Sequence, residues 1–195
     1  MARAKDLDKP AQIIDAAFSV FGETGYQATV IKDIADRAGI SAGTIYTYFR
    51  DKMDLFRATA QEGWSRFLAQ TRTLAESPAT AEERLAKFME LGFGSLRQYL
   101  PLLRGMLFES SQMNILQEGL EEFCVLVERL LADRREHADR RPRAARPADD
   151  PVLRRSLIRI TVVGVLFSAA LARPDRVDEE IDGLKKTVGL MLAGG

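Results

Sequence analysis

Residues 30–49 read VIKDIADRAGISAGTIYTYF, and this stretch decides the fold. Ile31, Ile34, Ala35 and Ala38 are spaced by three and four residues, which puts them on one stripe of a short helix. Thr29 stands where a side chain can cap its start. Gly39 follows the last apolar position, where a left-handed residue commonly ends a helix and only glycine adopts that conformation without steric cost. Two residues on, Ser41 can cap a second helix, and Ile40 before it can pack against Ile45 as a hydrophobic staple.

Two short helices joined through a glycine match the bihelical DNA-binding motif, whose second helix enters the major groove. Ile45 and Phe49 face inward in this reading, leaving Ala42, Gly43, Thr44, Tyr46, Thr47 and Tyr48 on the other sides. Gly43 lets backbone approach closely, Thr44 and Thr47 carry hydroxyls, and the tyrosines combine a ring with a phenolic donor. Lys52, in the first turn of a helix capped by Asp51, can neutralise a phosphate. Local spacing alone leaves a second reading open, an ordinary helical hairpin in a core.

Upstream, Ile13, Ile14, Ala17, Phe18 and Phe21 make a third amphipathic helix ending at Gly22, followed by Gly25 and Tyr26. From Ile13 to Phe56 the chain reads IIDAAFSVFGETGYQATVIKDIADRAGISAGTIYTYFRDKMDLF. With its Phe-Gly and Gly-Tyr pairs, Asp-Ile-Ala, Ala-Gly-Ile-Ser, Gly-Thr-Ile-Tyr and Tyr-Phe-x-x-Lys, it resembles the TetR family of bacterial transcription regulators. The resemblance implies that Lys32, Ala42, Gly43, Thr44, Tyr46, Thr47 and Tyr48 lie at the DNA, with Thr29 and Lys52 holding phosphates. Ala42 departs from relatives that carry a longer polar side chain there, and alanine can only touch a thymine methyl.

Charge does not advertise this function. The 195 residues carry 28 basic and 28 acidic side chains, and residues 1–60 hold eight of each. Affinity for DNA must then come from local placement, with Asp15, Asp33 and Asp36 turned elsewhere. Arg3, Lys5 and Lys9 either supplement the grip or belong to a solvated tail. Neither an export signal nor eighteen consecutive apolar residues is present, so the expected location is the cytoplasm. Cys124 is the only cysteine, read as a packed thiol with a redox sensor as the alternative, and no metal or cofactor is expected.

The rest reads as helix bundle. Phe56, Ala60, Trp64, Phe67, Leu68 and Thr71 keep helical spacing from Lys52 to about Ala75, a helix of roughly 35 Å. Ser77-Pro78 breaks it, and Thr80 with Glu83 forms a capping box for a helix that Pro101 ends or restarts. Leu116 to Leu131 marks another helix. Residues 134–150, with six arginines and two prolines, read as a flexible loop holding the lone His137. The expected fold is all-α with about nine helices: a helix-turn-helix domain at 1–55 (motif about 30–49), joined by the long helix to an effector-binding and dimerisation bundle at 56–195.

From Leu157 to Ala172 the chain is apolar nearly all round, and from Val177 to Met191, in a helix that Asp175 is placed to cap, apolar residues recur at steps of four and three. Leu157, Thr161, Gly164, Val165 and Ser168 of the first and Val177, Ile181, Leu184, Val188 and Met191 of the second are the expected homodimer interface, with intrachain core as the alternative. The resemblance implies the same dimer, suited to a palindromic operator. Phe88, Met89, Phe93, Tyr99, Met106, Phe108, Met113, Phe123 and Phe167 offer a lining for a small hydrophobic effector, although such residues fill any helical core. The expected function is a ligand-released repressor and not an enzyme, the helices after residue 80 bringing no acid, base or metal groups together. The alternatives are an activator, or a DNA binder without an effector.

Overall fold

The computed structural model describes residues 9–108, 120–130 and 150–194; of these, the side chains of 81, 106–108, 151, 154 and 191–194 are not described. All regular structure among the described residues is helical: α1 (Lys9–Ala28), α2 (Ile31–Ala38), α3 (Ala42–Tyr48), α4 (Lys52–Ala75), α5 (Ala81–Phe108), α6 (residues 120–130), α7 (Pro151–Leu171) and α8 (Val177–Gly194). A 3-10 turn at Pro174–Arg176 precedes α8. Residues 134–149, His137 and Met113 lie outside the described residues.

The glycine turn and the serine cap of the motif are met. Gly39 has φ 65° and ψ 35°, its N–H donates to the Asp36 carbonyl at 3.2 Å, and the Ile40 N–H reaches back to Ala35 at 3.0 Å. That pair of bonds satisfies the orphan carbonyls of α2 and turns the chain at once. Ser41 Oγ then accepts the Thr44 N–H at 3.2 Å and starts α3. Thr80 and Glu83 form the reciprocal capping box at the head of α5, at 3.0 and 3.3 Å.

Four boundaries differ from the sequence reading. The first helix does not stop at Gly22; its regular path is interrupted at Gly25, where φ is 77° and ψ 165°. Thr29 does not cap α2, since Val30 stands at that position and no side chain caps it. Pro101 neither ends nor starts a helix. α5 runs through it, without the hydrogen bond that a residue with an N–H would donate to Arg97. Asp175, expected to cap the last helix, lies inside the 3-10 turn and pairs with Arg173 at 3.2 Å.

The chain divides into two compact units: one of the described residues of Met1–Ser65 and Gln98–Met113, the other of those of Arg66–Arg97 and Asn114–Gly195. The first has its core in Ile13, Ala17, Phe21, Ile34, Ala35, Ile45, Leu55 and Phe56, all almost wholly buried. Each such large side chain contributes about 1.5–3 kcal/mol of burial. Phe21, Tyr26 and Phe56 stack with ring centroids 4.8–6.1 Å apart. Two glycines accommodate the unit's aromatic rings: a Cβ on Gly63 would lie 2.7 Å from Phe18, and one on Gly105 would lie 2.8 Å from Phe56. In the second unit Phe67 and Phe88 flank Phe123 at 5.3 and 5.8 Å, and Arg97 of α5 binds Asp178 and Asp182 of α8 at 3.0 and 2.6 Å.

The glycine contacts give a paired test. Gly105→Ala should lower stability by about 1–3 kcal/mol, because the new methyl overpacks a ring. Gly94→Ala, where a methyl would meet nothing within 4 Å, should be neutral or stabilising by up to about 1 kcal/mol. Chemical denaturation of both variants checks the contrast, and equal midpoints would contradict it.

Candidate nucleic-acid interface

α3 is built to be held from one side. Within Ala42–Tyr48 only Ile45 is buried, while Tyr46 is 55% and Tyr48 36% exposed. Gly43 and Thr47 are exposed too, and Ala42 and Thr44 half-buried. Lys32 of α2 is exposed and makes no ion pair among the described residues. The sequence-derived set of Lys32, Ala42, Gly43, Thr44, Tyr46, Thr47 and Tyr48 thus falls on two adjoining short helices of one unit.

Two expected members do not join it. Thr29 is fully buried; its hydroxyl lies 2.7 Å from both the Gly25 carbonyl and Thr24 Oγ1. A side chain closed off from solvent cannot meet a phosphate. Lys52 is turned inward as well: its ammonium donates to the carbonyls of Tyr26, Gln27 and Thr29 at 2.8, 3.3 and 2.8 Å and lies 4.6 Å from the Tyr26 ring centroid. Three ammonium protons meet three carbonyls, so a phosphate would have to displace one of them. Both residues tie the end of α1 to the start of α2 and α4.

Arg50 and not Lys52 is the exposed cation at this corner. Its side chain is 81% exposed and lies 3.6 Å from Asp54. The signal was present in Tyr-Phe-Arg-Asp-Lys, but spacing does not tell which of two nearby cations turns inward. Asp54 fixes this corner by accepting the Arg50 N–H at 3.0 Å while its own N–H donates to Asp51 at 2.8 Å; the Arg50 backbone bond is the main cause that holds the Asp54 carboxyl below its usual range. On the far side, Arg37 grips Glu23 through two bonds of 2.9 and 2.8 Å and lowers that carboxyl too.

The expected effector residues are dispersed. Phe88, Met89, Phe93 and Phe123 belong to the second unit, whereas Tyr99 belongs to the first and stacks on Phe18 at 5.5 Å. Phe167 is 43% exposed on α7 and so lines no interior. The side chains of Met106 and Phe108 are not described. Phe67, which the sequence reading assigned only to a helix stripe, completes the Phe88–Phe123 cluster. A cleft of about 320 Å³ in the same unit is lined by Glu121, Val152, Arg155, Ser156 and Arg159, not by the aromatic residues. Beside it Arg155 pairs with Glu128 at 3.0 Å, and Arg159 with Glu121. Cys124 is buried, and burial pushes its thiol up, away from the reactive thiolate form.

The profile of bacterial regulatory proteins of the tetR family matches residues 13–59. The fatty acid metabolism regulator protein of Bacillus subtilis is 32% identical over 142 residues, 58% of this chain and 73% of that protein. The chain belongs to the TetR family. It is therefore a DNA-binding transcriptional regulator with a helix-turn-helix, not an enzyme. Other curated relatives, spanned over about half of their own length or less, include repressors and an activator. Among solved structures, the fatty acid degradation regulator FadR of Bacillus halodurans aligns with TM-score 0.65 and 26% identity, covering 95% of this chain and 98% of that one. FadR of Bacillus subtilis, solved with stearoyl-CoA, shares the fold at TM-score 0.64 and 23% identity, covering 93% and 96%. No single helix among the described residues is long and apolar enough to cross a membrane.

The inward Lys52 makes a prediction about stability. Lys52→Met, which keeps the stem but leaves three carbonyls short of a donor, should cost roughly 1–3 kcal/mol of unfolding free energy. Thermal and urea denaturation measure this; an unchanged midpoint would mean that the ammonium is not engaged there.

Proposed function

We propose that this TetR regulator is a homodimeric repressor that works in the cytoplasm, holds a palindromic operator and leaves it when a small hydrophobic effector of fatty acyl character binds. The observation that carries the DNA part is the one-sided burial of α3: Ile45 anchors it while Tyr46, Thr47 and Tyr48 stay open beside Lys32. Lys32 and Arg50 are the proposed phosphate contacts, and Ala42, Gly43, Thr44, Tyr46, Thr47 and Tyr48 the proposed groove-facing residues.

The dimer rests on α7. Leu153, Leu157, Ile160, Gly164, Phe167 and Leu171 follow steps of four and three, and all six are exposed. An unbroken exposed apolar seam of that period suits a second copy of the same helix, whose two-fold pairing sets two α3 helices against two half-sites. This seam differs from the set expected from sequence. Thr161, Val165 and Ser168 are half-buried beside it, and Ile181 of α8 is wholly buried within its own chain. Gly164 and Leu157 remain; Val177, Leu184 and Val188 are half-buried on α8, where Leu190 is the exposed apolar side chain.

For the effector, the support is the Phe67–Phe88–Phe123 cluster, with Met89 and Phe93 nearby in sequence on α5, and the fatty acid regulators among the relatives. α4 and α5 each contribute to both units, so a ligand among them can shift an equilibrium that DNA also shifts. Each must then weaken the other's binding by the same factor.

The experiment is operator binding by fluorescence anisotropy, on DNA flanking the protein's own gene, with and without stearoyl-CoA and stearate. Affinity should fall with at least one ligand; affinity indifferent to both would leave a regulator without this effector. Lys32→Ala and Arg50→Ala should each lower the slope of log K against log salt by about one, while Lys52→Met leaves it unchanged. Ile160→Asp combined with Phe167→Asp should give a monomer in analytical ultracentrifugation and lose roughly a hundredfold in operator affinity. A stable dimer in that variant would reject the seam.

A further inference from the structure

The reading helix carries none of the side chains that read a base with two hydrogen bonds. Ala42–Tyr48 is Ala-Gly-Thr-Ile-Tyr-Thr-Tyr, without arginine or lysine to grip a guanine, asparagine or glutamine to grip an adenine, or a carboxylate to accept from cytosine. Its threonine hydroxyls have partners within the helix, although each oxygen keeps a lone pair that can accept. Thr47 Oγ1 donates to the Gly43 carbonyl at 3.1 Å, and Thr44 Oγ1 shares a hydrogen bond with Ser41 Oγ at 2.9 Å while Ser41 Oγ also accepts the Thr44 N–H. A hydroxyl held this way is a weakened donor to an outside group, while the γ-methyl is unaffected and can make an apolar contact. What the helix can present to base edges is then mainly a set of small apolar groups, the Ala42 and threonine methyls, together with the rings and phenolic hydroxyls of Tyr46 and Tyr48.

One base-edge group in the major groove matches such a surface, the C5 methyl of thymine. We propose that α3 sets sequence preference by apolar contact with thymine methyls, Ala42 and the threonine methyls covering them, and that its operator half-sites carry thymines where α3 lies. This rests on the proposed reading of α3 as the groove helix. Hydrogen bonds to phosphate from Lys32 and Arg50 fix register without base information. The expected signature is discrimination spread over several weak contacts, in contrast to one or two dominant base pairs.

Deoxyuridine differs from thymidine only by that methyl and pairs identically, so it isolates the contact. Operator DNA is footprinted first, then each thymine of one half-site is replaced singly by deoxyuridine and affinity measured by anisotropy. Burying one methyl is worth about 0.8 kcal/mol, so at least one replacement should weaken binding by about fourfold, while replacements in flanking DNA change nothing. Ala42→Gly should abolish the thymine-over-uracil preference at one position while leaving it at others; the ratio within one protein cancels any loss of helix stability. Specific binding that stays within twofold for every half-site replacement would overturn the thymine proposal. Absence of any sequence-specific binding would instead overturn the reading of α3 itself.

Discussion

A helix of seven residues does not hold itself together in water, so α3 exists only because its surroundings fix both of its ends and one of its faces. Gly39 in the left-handed region fixes the entry, Ser41 caps the first turn, and Ile45 buries the one face that is buried. Everything α3 offers to DNA depends on that single anchored side being enough. The stage beneath it is set by Lys52, whose ammonium gathers the carbonyls of Tyr26, Gln27 and Thr29 and so holds the end of α1 at the start of α4. A cation that binds backbone acceptors in this way gives up a phosphate contact for rigidity of the reader.

The consequence is a reader with little charge of its own. α3 is neutral, the nearby exposed cations are Lys32 and Arg50, and the chain as a whole has no net charge. A single copy therefore gains little from counterion release, and the proposed dimer would add a second copy on the same operator. In the proposed dimer the exposed stripe from Leu153 to Leu171 would be the pairing surface, and α4 and α5, which belong partly to each unit, would be the covalent path for the proposed ligand. On that proposal an effector that differs by a few kcal/mol in affinity between the two states would suffice to shift the equilibrium.

Features set by neighbours in sequence were legible: the Gly39 turn, the Ser41 cap, the Thr80–Glu83 box and the buried Ile34 and Ile45. Those set by distant partners were not. Thr29 and Lys52 are 23 residues apart, and no spacing rule reports that one will donate to the other's carbonyl. Phe167 and Ile160 are equally apolar in sequence, and only the position of α7 against its neighbours shows that both stand outside. The proposed effector residues were chosen by side-chain type, which says nothing about unit; Tyr99 accordingly fell with Phe18 and not with Phe123. Arg50 went unnoticed because an exposed arginine has no periodicity to announce it.

The central claim is that the open side of α3 meets the DNA, with Lys32 and Arg50 beside it. Hydroxyl-radical footprinting of the protein, read by mass spectrometry with and without operator DNA, tests it directly, since Tyr46 and Tyr48 are exposed and oxidise readily when uncovered. The account predicts strong protection of both tyrosines by operator DNA and little by a scrambled duplex, with buried Phe21 and Phe56 unchanged. Equal oxidation of Tyr46 and Tyr48 with and without bound operator would contradict it.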